Sequence, residues 1–165
     1  MAANEAMVEF ASVTILSTAR QILEEFKNHP KLGPILEEKG KRGGYLCVAE
    51  DGYGIYANVL IGSHPAAKPD TFDVAMAKAK YLLSHLEAVM SREGRNPPVL
   101  WGGGLRVPKT KLIIAFSGLP EHVDELFVIA LAARLNLLSR ADAIELLRQF
   151  PNDFAKPEEG NVFFL

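Results

Sequence analysis

Apolar positions along this chain fall into blocks of two periods. Between Val13 and Asn28 they recur every three or four residues: Ile15, Ala19, Ile22, Leu23 and Phe26 share one face, with Arg20, Glu24 and Lys27 opposite. This spacing predicts an amphipathic helix. Asn28-His29-Pro30 ends it, because the residue before a proline is driven out of the helical region. Residues 30–44 hold Pro30, Gly33, Pro34, Gly40, Gly43 and Gly44 and read as a connector with one helical turn at Ile35 to Glu38. Two strands follow, about Tyr45 to Glu50 and Ile55 to Ile61, joined at Asp51-Gly52. An Asp-Gly pair between apolar runs is a strong hairpin signal, since glycine supplies the positive φ of the tight turn. Pro65 to Pro69 is a loop, and Asp70 or Thr71 caps a long helix ending near Arg92-Glu93-Gly94. Within it Phe72, Met76, Ala79, Leu83, Leu86 and Met90 form one expected buried stripe. A second hairpin, Leu105 to Val107 and Lys111 to Ser117, turns at Pro108-Lys109. A helix then runs from Pro120 to about Leu137, and Ser139, with Asp142 three residues on, opens a last helix to about Phe150. The tail from Asn152 to Leu165 is irregular.

The order α-β-β-α-β-β-α-α predicts an α+β domain spanning residues 1–165, an antiparallel sheet of four to five strands with helices packed on it. Such a sheet has outer edges that can pair with another chain, so a homo-oligomer is expected.

The bulk numbers narrow the function classes. The 165 residues are 48% apolar and 23% charged, the balance of a globular protein with a real core. Lys and Arg number 18 against 20 Asp and Glu, so nucleic acid is not an expected partner. The charge cluster Glu37 to Arg42 reads as a solvated loop, with a small phosphate-attracting patch as the alternative. No apolar run is long enough for a membrane span, and the first residues lack the pattern of a signal peptide, so a cytoplasmic protein is expected.

Candidate chemistry concentrates around Gly102-Gly103-Gly104 and Ser117-Gly118, the latter ending a strand just before the Pro120 helix. Bare backbone beside a helix start suits small anionic groups. The glycines have neither the spacing nor the lysine of a P-loop. The single cysteine, Cys47, lies in an apolar run and reads as a buried small hydrophobe. His29, His64, His85 and His122 show no helical metal-site spacing. His29 and His64 precede prolines, where an exposed loop residue is the expectation and a haem axial ligand the alternative. Glu121 and Asp124 beside His122 read as acids that complement a helix start. No nucleophile elbow surrounds Ser117, and no acid–base set emerges.

These features in their order resemble the GlcG/HbpS-like (haem-degrading) family. The Asp-x-x-Gly hairpin of that family is matched by Asp51 to Gly54, and its Ala-x-x-Lys-Ala by Ala75, Lys78 and Ala79. Its Gly-Gly hairpin, Ser-Gly strand end and Asp-bearing helix are matched by Gly103-Gly104, Ser117-Gly118 and Asp124, with Ala130 beyond. The resemblance covers about residues 13–137, leaving a C-terminal helix and tail as additions. The chain departs at Leu60 to His64, where the family often carries Arg-Met-Asp-Gly, and at Arg106, where it carries proline. The strand before Ser117 carries Leu112 and Ala115 in place of the usual glycines. The resemblance implies a profilin-like, oligomeric domain, some of whose relatives bind haem or a corrinoid.

Two functions are therefore expected as alternatives. The first is a small-ligand-binding module taking haem, a corrinoid or a small organic anion. Its cleft would lie between the Asp51–Gly54 hairpin, the Gly102–Gly104 loop and the Pro120 helix. Lys78 and Arg106 would supply charge, Gly103, Gly104, Ser117 and Gly118 close backbone approach, Asp124 the helix start, and His64 an iron ligand. The second is a protein-interaction or assembly domain without a small-molecule site, using sheet edges and the apolar tail Val162 to Leu165.

Overall fold

The computed structural model describes residues 2–63, 70–162, 164 and 165, with residues 2–11 described by backbone alone. Helix α1 (Ala2–Asn28) leads into α2 (Leu32–Glu38), β1 (Gly43–Glu50), β2 (Gly54–Gly62) and α3 (Thr71–Ser84). Then come β3 (Gly104–Arg106), β4 (Leu112–Ser117), α4 (Glu121–Arg134) and α5 (Arg140–Gln149). The class is α+β, as expected. Helix α2 adds a full element where one turn was anticipated, and α1 begins well before Val13.

The sheet has four strands in the order β2-β1-β4-β3, and β1 pairs antiparallel with both β2 and β4. Side chains alternate between its faces, as a period of two requires. Leu46, Ile114 and Phe116 face a core shared with Ala19, Ile22, Leu23 and Phe26 of α1 and with α4. Cys47, Ala49, Ile113 and Ala115 face the opposite way, against Ala75, Ala79 and Leu82 of α3. Helices thus cover both faces. Helix α4 is the most enclosed, with Val123 through Ala132 all buried. Ser139 caps α5, its hydroxyl accepting from the Asp142 amide at 3.1 Å, as the spacing predicts.

Helix α3 departs from the expected stripe. It stops at Ser84, and its buried face is Ala75, Lys78, Ala79 and Leu82, while Phe72 is 40% and Leu86 70% exposed. Two causes end it early. The Ser84 hydroxyl donates back to the carbonyls of Lys80 and Tyr81, and the Arg106 guanidinium donates to the carbonyls of Leu82 and His85. The residues beyond serve the sheet instead: Met90 bridges Leu105 at the β3 edge. The helical period continued through Met90, but tertiary hydrogen bonds claimed that backbone.

The apolar tail is part of the core. Phe164 is buried, and Arg134 and Arg140 donate to the carbonyls of Phe164 and Leu165. The expected docking segment is therefore engaged within the chain itself at Phe164, while Phe163 lies outside the described residues. Among the described residues, no helix is long and apolar enough to cross a membrane.

Candidate functional site

A cleft of about 370 Å³ opens where the α2–β1 loop, the start of α3 and the β4–α4 junction meet. Its base is set by a lysine at an unusual place. Lys78 occupies the sheet-facing side of α3, where the period calls for an apolar residue, and is 1% exposed. A buried ammonium needs partners. Its Nζ donates to Asp124 Oδ2 at 3.0 Å and to the Phe116 carbonyl at 2.5 Å. Asp124, in the first turn of α4, also accepts from the Leu119 amide at 2.9 Å through Oδ1. One carboxylate thereby ties the strand end, the helix start and α3 together. Burial pushes the Asp124 carboxyl up to about 6, against the opposing pull of the Lys78 ammonium, the Leu119 N–H and the charge of Lys41.

The glycine loop packs against this pair. Gly103 has φ +105°, and a Cβ there would lie 2.6 Å from Asp124 Cβ and 2.9 Å from Lys78 Nζ. Neighbouring amides are also tied: Gly102 N–H donates to Glu121 Oε1 at 2.7 Å and Gly104 N–H to Ser91 Oγ at 2.8 Å. The loop's glycines therefore serve close approach to α4.

The acids of α4 are each answered by a cation. Glu121 accepts from Arg95 Nε at 2.8 and 3.0 Å, and Glu125 holds Arg92, with Nε to Oε1 at 2.7 Å. Arg95 in turn lies 5.1 Å from the Trp101 ring centroid, and Trp101 Nε1 donates to the Pro98 carbonyl at 3.1 Å. The helix start that looked acidic in the sequence is thus locally balanced.

Two lysines, one hydroxyl and one carboxylate at the cleft are without a side-chain partner among the described residues. Lys39 and Lys41 line it and have no ion-pair partner among the described residues. Ser117 lines it too, 6% exposed, and its hydroxyl makes no hydrogen bond among the described residues. The starts of α3 and α4 both border the cleft, and neither Asp70 nor Pro120 provides a side-chain cap. Asp70 is the one lining carboxylate without an ion-pair partner among the described residues.

The structure brings Lys78, Ser117, Gly118 and Asp124 together at the cleft, with Gly103 behind the ion pair. Gly104 is buried in the sheet, opposite Ala115. Asp51, Gly54 and Arg106 are not part of this site. Leu112 pairs with Glu50 and Ser117 with Tyr45, so the Asp51 hairpin and Ser117 stand at opposite ends of β4, about 17 Å apart at ~3.4 Å per residue. Arg106 is tied to Asp51 and to the carbonyls that end α3. It is a structural brace, so the expected cleft joining that hairpin to the glycine loop does not form. His64 lies outside the described residues. Lys39, Lys41, Asp70, Thr71, Pro98 and Trp101 are the lining that sequence reasoning missed. The Lys39–Lys41 signal is visible in the sequence as a charge cluster, where a solvated loop is the expectation and a phosphate-attracting patch the alternative.

The other residues of chemical interest have structural partners. Cys47 is buried, its thiol pushed up to about 11 by desolvation. His29 Nδ1 accepts from the Lys31 amide at 3.2 Å, His85 is stacked on Tyr81, and His122 Nδ1 sits 2.7 Å from Asp153 Oδ2. Among the described residues there is no group of three or more His, Cys, Asp or Glu placed to hold a metal. The described lining holds three lysines and three carboxylates and contains no histidine, cysteine, methionine or tyrosine to serve as a haem axial ligand. No family model, no curated protein and no solved structure matches the chain.

Proposed function

We propose that this chain is a small-ligand-binding module whose cleft takes a small organic anion. The observation that carries the reading is the donor set at the cleft: Lys39 and Lys41, which have no ion-pair partner among the described residues, and Ser117, whose hydroxyl makes no hydrogen bond among them. An anion bound there would accept a hydrogen bond from the Ser117 hydroxyl and charge-assisted hydrogen bonds from the two ammonium groups. The two uncapped helix starts add donors of the same sense. The GlcG/HbpS-like resemblance supports this reading, since ligand binding by a profilin-like domain is what it implies. A cytoplasmic setting belongs to the same proposal.

Trp101 is the only tryptophan of the chain and lines the cleft, so its fluorescence reports on this site alone. Titration with succinate is expected to change that emission saturably. Replacing Lys39 and Lys41 by alanine should weaken binding about tenfold, the loss of one charge-assisted contact. Absence of a saturable change with succinate, sulfate and phosphate alike defeats the reading.

A second reading, an assembly domain, is favoured by β2. This strand lies at the sheet edge, runs from Gly54 to Gly62 and carries no charged residue or proline, whereas edge strands ordinarily carry such blocking residues. Tyr56, 59% exposed, lies on it. An oligomer in sedimentation analysis that dissociates on Tyr56→Lys supports pairing through β2; a monomeric wild type removes it.

A further inference from the structure

We infer that the anion taken by this cleft carries an aromatic ring, the headgroup being a carboxylate or phosphate and the ring packing on Trp101. The inference rests on the anion reading and narrows its ligand class. Its own observation is the way Trp101 is held. The indole is fixed at Nε1 by the Pro98 carbonyl at 3.1 Å, and the Arg95 guanidinium lies 5.1 Å from the ring centroid. That guanidinium is itself fixed by Glu121, through contacts of 2.8 and 3.0 Å, and Glu121 Oε1 also accepts the Gly102 amide at 2.7 Å. A partly exposed indole braced in this way is pre-ordered, so a ring packing on it meets little entropic cost.

The placement of the remaining lining completes the argument. Pro98, Val74, Leu119 and Pro120 join Trp101 as the apolar lining. Lys39 and Lys41 belong to the α2–β1 loop, whereas Pro98 and Trp101 come from the segment between α3 and β3, with the β4–α4 junction, which carries Ser117, Leu119 and Pro120, completing the lining. A ligand that uses both sets has one anionic end and one flat apolar end. A compact inorganic ion or a short aliphatic acid satisfies the donors and leaves the indole wall wet. The volume, about 370 Å³, is within the range of sites for small organic molecules, roughly 300–1,000 Å³.

The test is calorimetric titration of the full chain with phenyl phosphate and methyl phosphate, and with benzoate and acetate. Wild type should bind each aryl member about tenfold more tightly than its alkyl counterpart, the scale of one aromatic packing contact. The two pairs identify which headgroup is preferred. Trp101→Ala should reduce the aryl advantage to about twofold with the alkyl affinity unchanged, and Trp101→Phe should restore most of it. Circular dichroism and the retained alkyl affinity show that the variant is folded. Equal aryl and alkyl affinities in wild type overturn the aromatic inference and leave the anion reading standing, as does an aryl advantage that survives in folded Trp101→Ala. Failure of all four compounds to bind overturns both.

Discussion

Adding one methyl group to Gly103 tests whether the glycine loop is a structural wedge against the buried ion pair. The alanine Cβ would stand 2.6 Å from Asp124 Cβ and 2.9 Å from both Lys78 Nζ and the Phe116 carbonyl oxygen. None of these atoms can move freely: Asp124 is held by Leu119 and Lys78, and Phe116 lies within β4. The backbone adds strain, because φ at Gly103 is +105°. Left-handed backbone costs an L-residue about 1–2 kcal/mol, and forcing an extra carbon into a packed interior about 1–3 kcal/mol more. Gly103→Ala should therefore destabilise by about 2–5 kcal/mol. Gly52 supplies the control: its φ is +88°, but nothing lies within 4 Å of an added Cβ. Gly52→Ala keeps the strain without the clash and should cost about 1 kcal/mol. Urea denaturation followed by circular dichroism measures both. Equal costs for the two variants would refute the wedge, leaving turn conformation as the sole role of Gly103.

Two further predictions concern the charges at either end of β4. Because burial raises the Asp124 carboxyl from its ordinary 3.8 to about 6, its contribution to stability is full below about pH 3.8 and is lost as pH rises through 6. Sulfate, which keeps its charge over this range, should bind more tightly as pH falls through 6, since protonation of Asp124 removes the counter-charge of Lys78. Asp70, Glu121, Lys39 and Lys41 also face the cleft, so the comparison is made with Asp124→Asn, in which the pH dependence should flatten; an unchanged dependence in that variant would assign it elsewhere. At the far end, Arg106→Gln leaves Asp51 and the α3 carbonyls without their donor and should cost about 2–4 kcal/mol, measured by thermal unfolding. Succinate affinity should change by less than about twofold, each tenfold being 1.4 kcal/mol, and a larger loss would return Arg106 to the binding site.

The class of the fold was legible because periodicity survives in short strands. Leu46, Ile114 and Phe116 alternate with Cys47, Ile113 and Ala115, and each set meets its own helical layer. The length of α3 was not legible. Leu86 and Met90 continue the helical spacing, yet the side chain that ends the helix, Arg106, is remote in sequence and reaches the α3 carbonyls only after the second hairpin folds. The added turns of α2 were hidden for a different reason. Pro34 and Gly33 mark a break locally, whereas Leu32 and Leu36 are buried against the α1 side of the core, and that packing stabilises the segment as helix.

The site divides along the same line between local and remote information. Lys78, Ser117, Gly118 and Asp124 were found because each stands in a short motif at a strand or helix boundary, and the fold draws those boundaries together. Lys39 and Lys41 were judged by their neighbours in sequence, Glu37 and Glu38, although α2 carries them to the cleft that Lys78 underlies. Asp51 and Arg106 failed for a reason that strand direction alone supplies. In an antiparallel pair the end of β1 meets the start of β4, so the hairpin after Glu50 must lie beside Leu112 and away from Ser117. Arg106 belongs to β3, where it pairs with Ile113, and it is carried to the same remote end. Its proximity in sequence to Gly103 and Gly104 therefore misled, for three strand residues are enough to separate a brace from the cleft.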